Sequence, residues 1–245
     1  MNSGKQNEID ILSALTGKKF KDLEENWQKH VRKMFPSIKD EDVIHAFFYQ
    51  DGYAKPDIVV SVNEKSKLLS VKSGKNPSCH LESFEEFSMF LANLGVPQRI
   101  IKIIHFYQFG RSNKLSNHGE AFSRAQLQSD FAPYIKEVNE YFLAHSGMVK
   151  KIIYRTLIRG LRYRAEPIDF FYYGNVNRGF IFSVDDIYKL ILEDPYIDCR
   201  AIHFYALVFQ PDGRRVDKQN HLYVRIKWPV LSLRFYDDGF IEKYS

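Results

Sequence analysis

Cysteine is nearly absent. Cys79 and Cys199 are the only two in 245 residues, far apart and without a partner motif, which argues against a disulfide framework and a cysteine-rich zinc site. The eight histidines show no ligand spacing. No apolar run approaches the roughly 18 residues of a membrane span, and no charged-then-apolar leader is visible, so a cytoplasmic protein without membrane partners is expected. Neither sign of charge dominates: 35 basic and 30 acidic residues leave +5, a mild bias compatible with a phosphate-rich partner. Low-complexity linkers and internal repeats are missing as well. With 44% hydrophobic residues, the chain reads as one domain, with a core over 1–125 and a C-terminal elaboration over 126–245.

The most informative stretch lies between Lys55 and Glu86. Lys-Pro-Asp-Ile-Val-Val-Ser-Val is followed by Asn63-Glu64-Lys65-Ser66, then by Lys-Leu-Leu-Ser-Val-Lys-Ser-Gly. Two apolar strands around a polar turn predict a hairpin, and a symmetric four-residue loop sets Asp57 opposite Lys72. Side chains alternate faces along a strand, so Asp57 and Val59 share one face with Ser70 and Lys72, while Ile58, Val60, Leu69 and Val71 take the other. A lysine and a carboxylate thus meet on an apolar hairpin. A plain cross-strand ion pair is the simplest account, worth a few tenths of a kcal/mol when exposed.

Helical spacing predicts a helix over residues 6–15 and a second from Phe20 to Phe35 through Leu23, Trp27, Val31 and Met34. Val43 to Tyr49 reads as a strand and Asp51-Gly52 as a turn. A helix is expected from about Glu82 to Leu94, closed by Gly95 and Pro97. The run Arg99-Ile-Ile-Lys-Ile-Ile-His-Phe-Tyr is apolar enough for a central strand. The predicted order is helix, three strands, helix, strand, in an α/β fold with a mixed α+β C-terminal part.

Carboxylates on these helices are sorted by the face they occupy. Glu24 falls inside the apolar arc of the second helix, and Glu8 lies similarly among Ile11, Leu12 and Leu15, so either can be the inward acid of the N-terminal helices. Of the three acids opening the later helix, Glu86 is nearest the buried edge, with Glu82 and Glu85 pointing more to solvent. Acids that converge with Asp57 and Lys72 suit phosphodiester hydrolysis, where carboxylates hold Mg²⁺ against the charge developing on phosphorus and the lysine orients or deprotonates water.

Pro56-Asp57 entering one strand and Lys72 leaving the next resembles the PD-(D/E)xK nuclease superfamily, the fold of most type II restriction endonucleases, over about residues 5–108. The position that holds the named acid carries Ser70 here. Ser70-Val71-Lys72 is closer to the restriction endonucleases that read sites with a CCGG core, which have Ser-x-Lys and a glutamate relocated about fourteen residues onward, the place of Glu86. The resemblance implies a restriction-endonuclease-like core, with Asp57 and Glu86 as metal ligands together with Val71, and Lys72 as water-orienting base or charge partner. Glu24 or Glu8 takes the place of the first-helix glutamate. It further implies Mg²⁺, double-stranded DNA, a homodimer and a companion DNA methyltransferase acting on the same site. Where those enzymes carry an Arg-x-Asp-Arg-like base-reading motif this chain has Ser73-Gly74-Lys75-Asn76-Pro77, so the recognition sequence is not carried over. A structure-specific or repair nuclease of the same fold, an inactive DNA-binding protein of that fold and a metal-free interaction protein are the alternatives, the inactive binder because of Ser70.

In the second half, residues 129–163 read as helical with a break at Ser146-Gly147. Their cations Lys150, Lys151, Arg155, Arg159, Arg162 and Arg164 fit a solvated face or DNA backbone contact. Ser183 caps a further helix. Ala201 to Phe209 and His221 to Trp228 form a hairpin around Pro211-Asp212-Gly213, whose Asp212 and Lys227 repeat the spacing of Asp57 and Lys72 without an acid or hydroxyl two before the lysine. Its Arg214, Arg215, Arg225 and Lys227 fit either DNA contact or a half-exposed sheet. Asn175-Val176-Asn177-Arg178-Gly179 reads as a polar turn rather than a base reader.

Overall fold

The computed structural model describes residues 3–51, 54–74, 77–109, 129–161, 165–193, 200–211, 222–229 and 231. Gly52, Lys75, Asn76, Arg162, Arg164, Cys199, Asp212 to Arg215, His221 and the expected boundary at 125/126 lie outside them. Helices and two sheets make the chain α/β. Contacts divide it into two units, one of 1–77, 154–189 and 230–245, the other of 78–153 and 190–229.

In the first unit, α1 (Ser3–Leu15) and α2 (Glu25–Met34) precede β1 (Ile44–Phe48), β2 (Ile58–Val62) and β3 (Lys65–Lys72). After the second unit's residues come a π-helical turn (Tyr154–Arg159), β5 (Phe170–Asn175) and β6 (Arg178–Ser183). The sheet order is β1-β2-β3-β5-β6, antiparallel except for the parallel β3–β5 pair. Ile11, Leu15, Trp27 and Val31 pack with Ile58, Val60, Leu69 and Val71 in one buried cluster. That leaves the opposite register positions, Asp57, Ser70 and Lys72, together on the other face.

The second helix is shorter than its apolar spacing predicts. Phe20, Leu23, Trp27, Val31 and Met34 are all buried as expected, yet Phe20–Asp22 is a 3-10 turn and Leu23 and Glu24 are extended. Spacing reports which side chains are buried and not whether the backbone between them is helical. Glu24 therefore caps α2 as an exposed residue and leaves the apolar stripe. The hairpin loop is also tighter than expected. Asn63 takes a left-handed φ of 53°, so Val62 pairs Lys65 and Ile58 pairs Leu69. Asp57 then lies level with Ser70 rather than Lys72. A shift of two residues preserves every face.

Asn175 Oδ1 accepts from the amides of Asn177 and Arg178 (2.9 and 3.1 Å), which closes the β5–β6 turn. Trp27 Nε1 donates to Val176 O at 2.8 Å, docking that turn on α2. Beneath it, Gly179 has no room for a side chain, because an added Cβ would lie 2.2 Å from Tyr172 Oη. Gly179→Ala should displace the Tyr172 ring from its stack on Trp27, whose centroids are 5.1 Å apart. A loss of about 2 kcal/mol, typical of overpacking, is expected from urea denaturation.

The second unit holds β4 (Ser78–Ser83), α3 (Phe84–Asn93), α4 (Gln98–Phe109), α5 (Ala132–Ala144), α6 (Ser146–Ile153), β7 (Ile202–Phe204), β8 (Leu207–Pro211) and β9 (Tyr223–Lys227). The sheet order is β4-β9-β8-β7. The division falls inside α7 (Val184–Glu193). Residues 99–107, expected as a strand, are helical in α4. Ile100, Ile101, Ile103, Ile104 and Tyr107 are buried, a spacing that follows the 3.6-residue helical period, and this outweighs the β-branched composition. The predicted strand 201–209 is two, because Tyr205 turns the chain at φ 57°. β8 and β9 pair antiparallel as expected. Lys227 lies level with Ser78 and Val208.

Candidate active site

Asp57 stands where β2 begins, with its carbonyl accepting from Tyr49 N (3.1 Å) and its amide donating to Leu69 O (2.9 Å). The backbone is thus tied to both neighbouring strands. Its Oδ2 accepts three hydrogen bonds, from Ser70 Oγ (3.0 Å), Val71 N (2.7 Å) and Lys72 Nζ (3.0 Å). Among the described residues, none reaches Oδ1. Ser70 is fully buried, while the Asp57 and Lys72 side chains are each 23% exposed. The pair is therefore anchored beneath and open above.

Lys72 Nζ also donates to Val71 O at 2.8 Å. One ammonium is thus held between a carboxylate and a backbone carbonyl, two hard oxygens of the kind that Mg²⁺ prefers. That convergence on a cation, with the second carboxylate oxygen left over, fits a divalent metal at Asp57 and Val71. A divalent cation held by those two oxygens would take the place that the Lys72 ammonium occupies. Among the described residues, no three His, Cys, Asp or Glu side chains gather into a metal-binding group.

The other expected acids have different settings. Glu8 is half-buried and paired with Lys5 at 3.1 Å, and Glu24 is exposed at the cap of α2. Glu86 belongs to the second unit. It is exposed, and its Oε2 accepts from Ser83 Oγ at 2.8 Å while Ser83 Oγ accepts from Glu86 N at 3.2 Å, a capping pair at the start of α3. Glu82, expected toward solvent, is instead 2% exposed on β4, with Oε1 3.0 Å from His80 Nε2. A buried carboxylate requires such a partner. The alternation His80-x-Glu82, which puts both on one face of a strand, was the available signal, and Glu82 read as the first acid of a helix concealed it.

Ser70 Oγ supplies one of the three hydrogen bonds that steady Asp57 Oδ2. Ser70→Ala should leave the fold intact and lower stability by about 1 kcal/mol, the net worth of one buried hydrogen bond, read from the urea midpoint. Lys150 and Lys151 are exposed, whereas Arg155 and Arg159 are half-buried. Comparison with protein-family models and with curated proteins finds no match to this chain.

Proposed function

We propose that this protein is a magnesium-dependent DNA endonuclease of the type II restriction class, with its reaction centre at Asp57 and Lys72. The observation that carries the reading is the Lys72 ammonium held between Asp57 Oδ2 and Val71 O, on a hairpin whose Pro56-Asp57 and Ser70-Val71-Lys72 match the Ser-x-Lys branch of the PD-(D/E)xK superfamily. The antiparallel β1-β2-β3 meander with β5 running parallel beside β3 supports that reading. The fourth strand here is β5, not residues 99–107.

Asp57 and Val71 O would hold the metal, and Glu86 enters as second ligand on the resemblance alone. Magnesium so bound supplies positive charge beside the scissile phosphate and lowers the pKa of a coordinated water. Asp57 fixes the cation's place through a carboxylate that Ser70 and Val71 N already orient. Lys72, freed from the two oxygens, orients or deprotonates the attacking water. A symmetric duplex site would be met by a homodimer, since two-fold DNA symmetry is matched by two-fold protein symmetry, and a companion methyltransferase would protect host DNA.

Genomic DNA incubated with the protein and Mg²⁺, with a chelated control, tests this. Discrete metal-dependent fragments support the restriction reading, and cleavage confined to junctions or flaps supports a repair nuclease. A salt-sensitive gel shift without cleavage on any substrate supports the second reading, a DNA-binding protein of this fold without catalysis, which Ser70 at the named acid position favours.

A further inference from the structure

We propose that Lys55 is a positioning residue for Asp57, acting through the π-helical turn Tyr154–Arg159. The proposal rests on the reading of Asp57 as a metal ligand. Lys55 is 9% exposed, and its Nζ donates to Thr156 O at 2.7 Å. The turn is wound so that Gly160 N reaches back five residues to Arg155 O (3.0 Å), and such single π turns recur at functional sites. The lysine's aliphatic stem lies under Gly160, where an added Cβ would come 3.3 Å from Lys55 Cβ. Both ends of the side chain are therefore fixed.

From Lys55 to Asp57 the backbone has little freedom. Pro56 locks its own φ, and a residue before proline is confined to extended conformations. Fixing Lys55 thus fixes the approach to Asp57, just before β2 begins. The turn itself is tied onward. Ile158 O accepts from Ile168 N (3.0 Å), Leu68 O accepts from Asp169 N (2.8 Å), and Asp169 Oδ2 accepts from Leu68 N (2.9 Å). From there β5 runs beside β3, level with Ser70 and Lys72. Lys55 consequently links the start of β2 to β3 by a route independent of their hairpin. Two routes define the spacing of Asp57 from Lys72 better than one.

Binding of Mn²⁺ alone, followed by calorimetry and by the electron paramagnetic signal of free Mn²⁺, tests this without reference to cleavage. The proteins are wild type, Lys55→Met, Lys55→Arg and Asp57→Ala. Lys55→Met, which keeps the stem and removes the donor, should weaken Mn²⁺ binding about tenfold, the low end of the loss seen when a group that orients a metal ligand is removed, and Lys55→Arg should stay within about threefold of wild type. Asp57→Ala should not bind. A purely structural Lys55 would lower the melting temperature in Lys55→Met and leave the affinity of the folded protein unchanged, which overturns the positioning role while the Asp57 centre stands. Mn²⁺ affinity unchanged in Asp57→Ala overturns the centre itself, and the proposal with it. Should Lys55→Met fail to fold, Gly160→Ala presses on the same stem, and wild-type affinity in that variant overturns the proposal.

Discussion

Asp57→Ala and Lys72→Ala are each expected to reduce magnesium-dependent DNA cleavage by about 10³-fold or more, a loss at the upper end of that seen for removing one preorganised charge-stabilising group. The two act differently. Asp57 Oδ2 gathers Ser70, Val71 N and Lys72, so its removal takes away the carboxylate at which all three converge. Lys72→Ala leaves that carboxylate oriented by Ser70 and Val71 N while removing the group proposed to handle the water. Saturating Mg²⁺ should therefore recover none of the activity in Lys72→Ala, whereas its Mn²⁺ affinity should match or exceed wild type, since no ammonium competes for the two oxygens. Single-turnover cleavage of a substrate cut by the wild type, over a range of Mg²⁺, measures both. Rates within tenfold of wild type in either variant would remove the centre from this hairpin. Glu86→Gln belongs beside them: an unchanged rate with a modest stability loss assigns Glu86 to capping α3 alone.

Acid should destabilise the fold through His30. The side chain is fully buried on α2, its ring 5.3 Å from Trp27 and 5.4 Å from Tyr172, and neither ring nitrogen has a hydrogen-bond partner among the described residues. Burial, aided by Lys33 and Lys29, pushes its pKa down from 6.5 to about 3. The unfolded chain takes up a proton as pH falls through about 6.5 and the folded chain does not until about 3, so stability present above that window is lost as pH falls through it. Between pH 7 and pH 5 the loss is about 2 kcal/mol, at 1.36 kcal/mol per unit. His30→Phe, which keeps a ring against Trp27 and Tyr172, should abolish this component. Urea denaturation of both proteins at the two pH values gives the difference, and equal pH dependence in the two would show that His30 is not its source.

Face assignments were legible in the sequence, and relative heights along the strands were not. Alternation of Ile58, Val60, Leu69 and Val71 against Asp57, Ser70 and Lys72 survives because the actual register differs from the expected one by an even number of residues. The two-residue loop depended on Asn63 accepting a left-handed φ, which alternation does not encode. Ser183 caps α7 as its sequence indicates, accepting from Asp186 N at 3.2 Å, and Gly95 ends α3 with φ 82°, because caps depend on residues a few positions apart. Misreadings came where two patterns share a composition. Isoleucine pairs around Lys102 suit a strand by propensity and a helix by spacing. Glu82 sits three residues before Glu85 like any helix-start acid, and only pairing with β9 makes it a buried strand residue. Lys55 gave no signal beyond standing before Pro56, since its acceptor, Thr156 O, is remote in sequence.

β3 and its parallel neighbour β5 are level at Lys72 and Tyr173, and the chain of the second unit is made between them. During synthesis, the hairpin carrying Asp57, Ser70 and Lys72 leaves the ribosome early, but one edge of β3 has no partner until residues 170–175 follow. At about 5–20 residues per second, the roughly 100 intervening residues keep that edge waiting for about 5 to 20 seconds. Pairing at such sequence separation is slow to form as well, because the closure of a long loop precedes any contact that rewards it. A chain terminated before residue 170 would carry the whole Asp57–Lys72 motif on an incomplete sheet with an adhesive edge. Early termination therefore yields an aggregation-prone fragment rather than a smaller working protein.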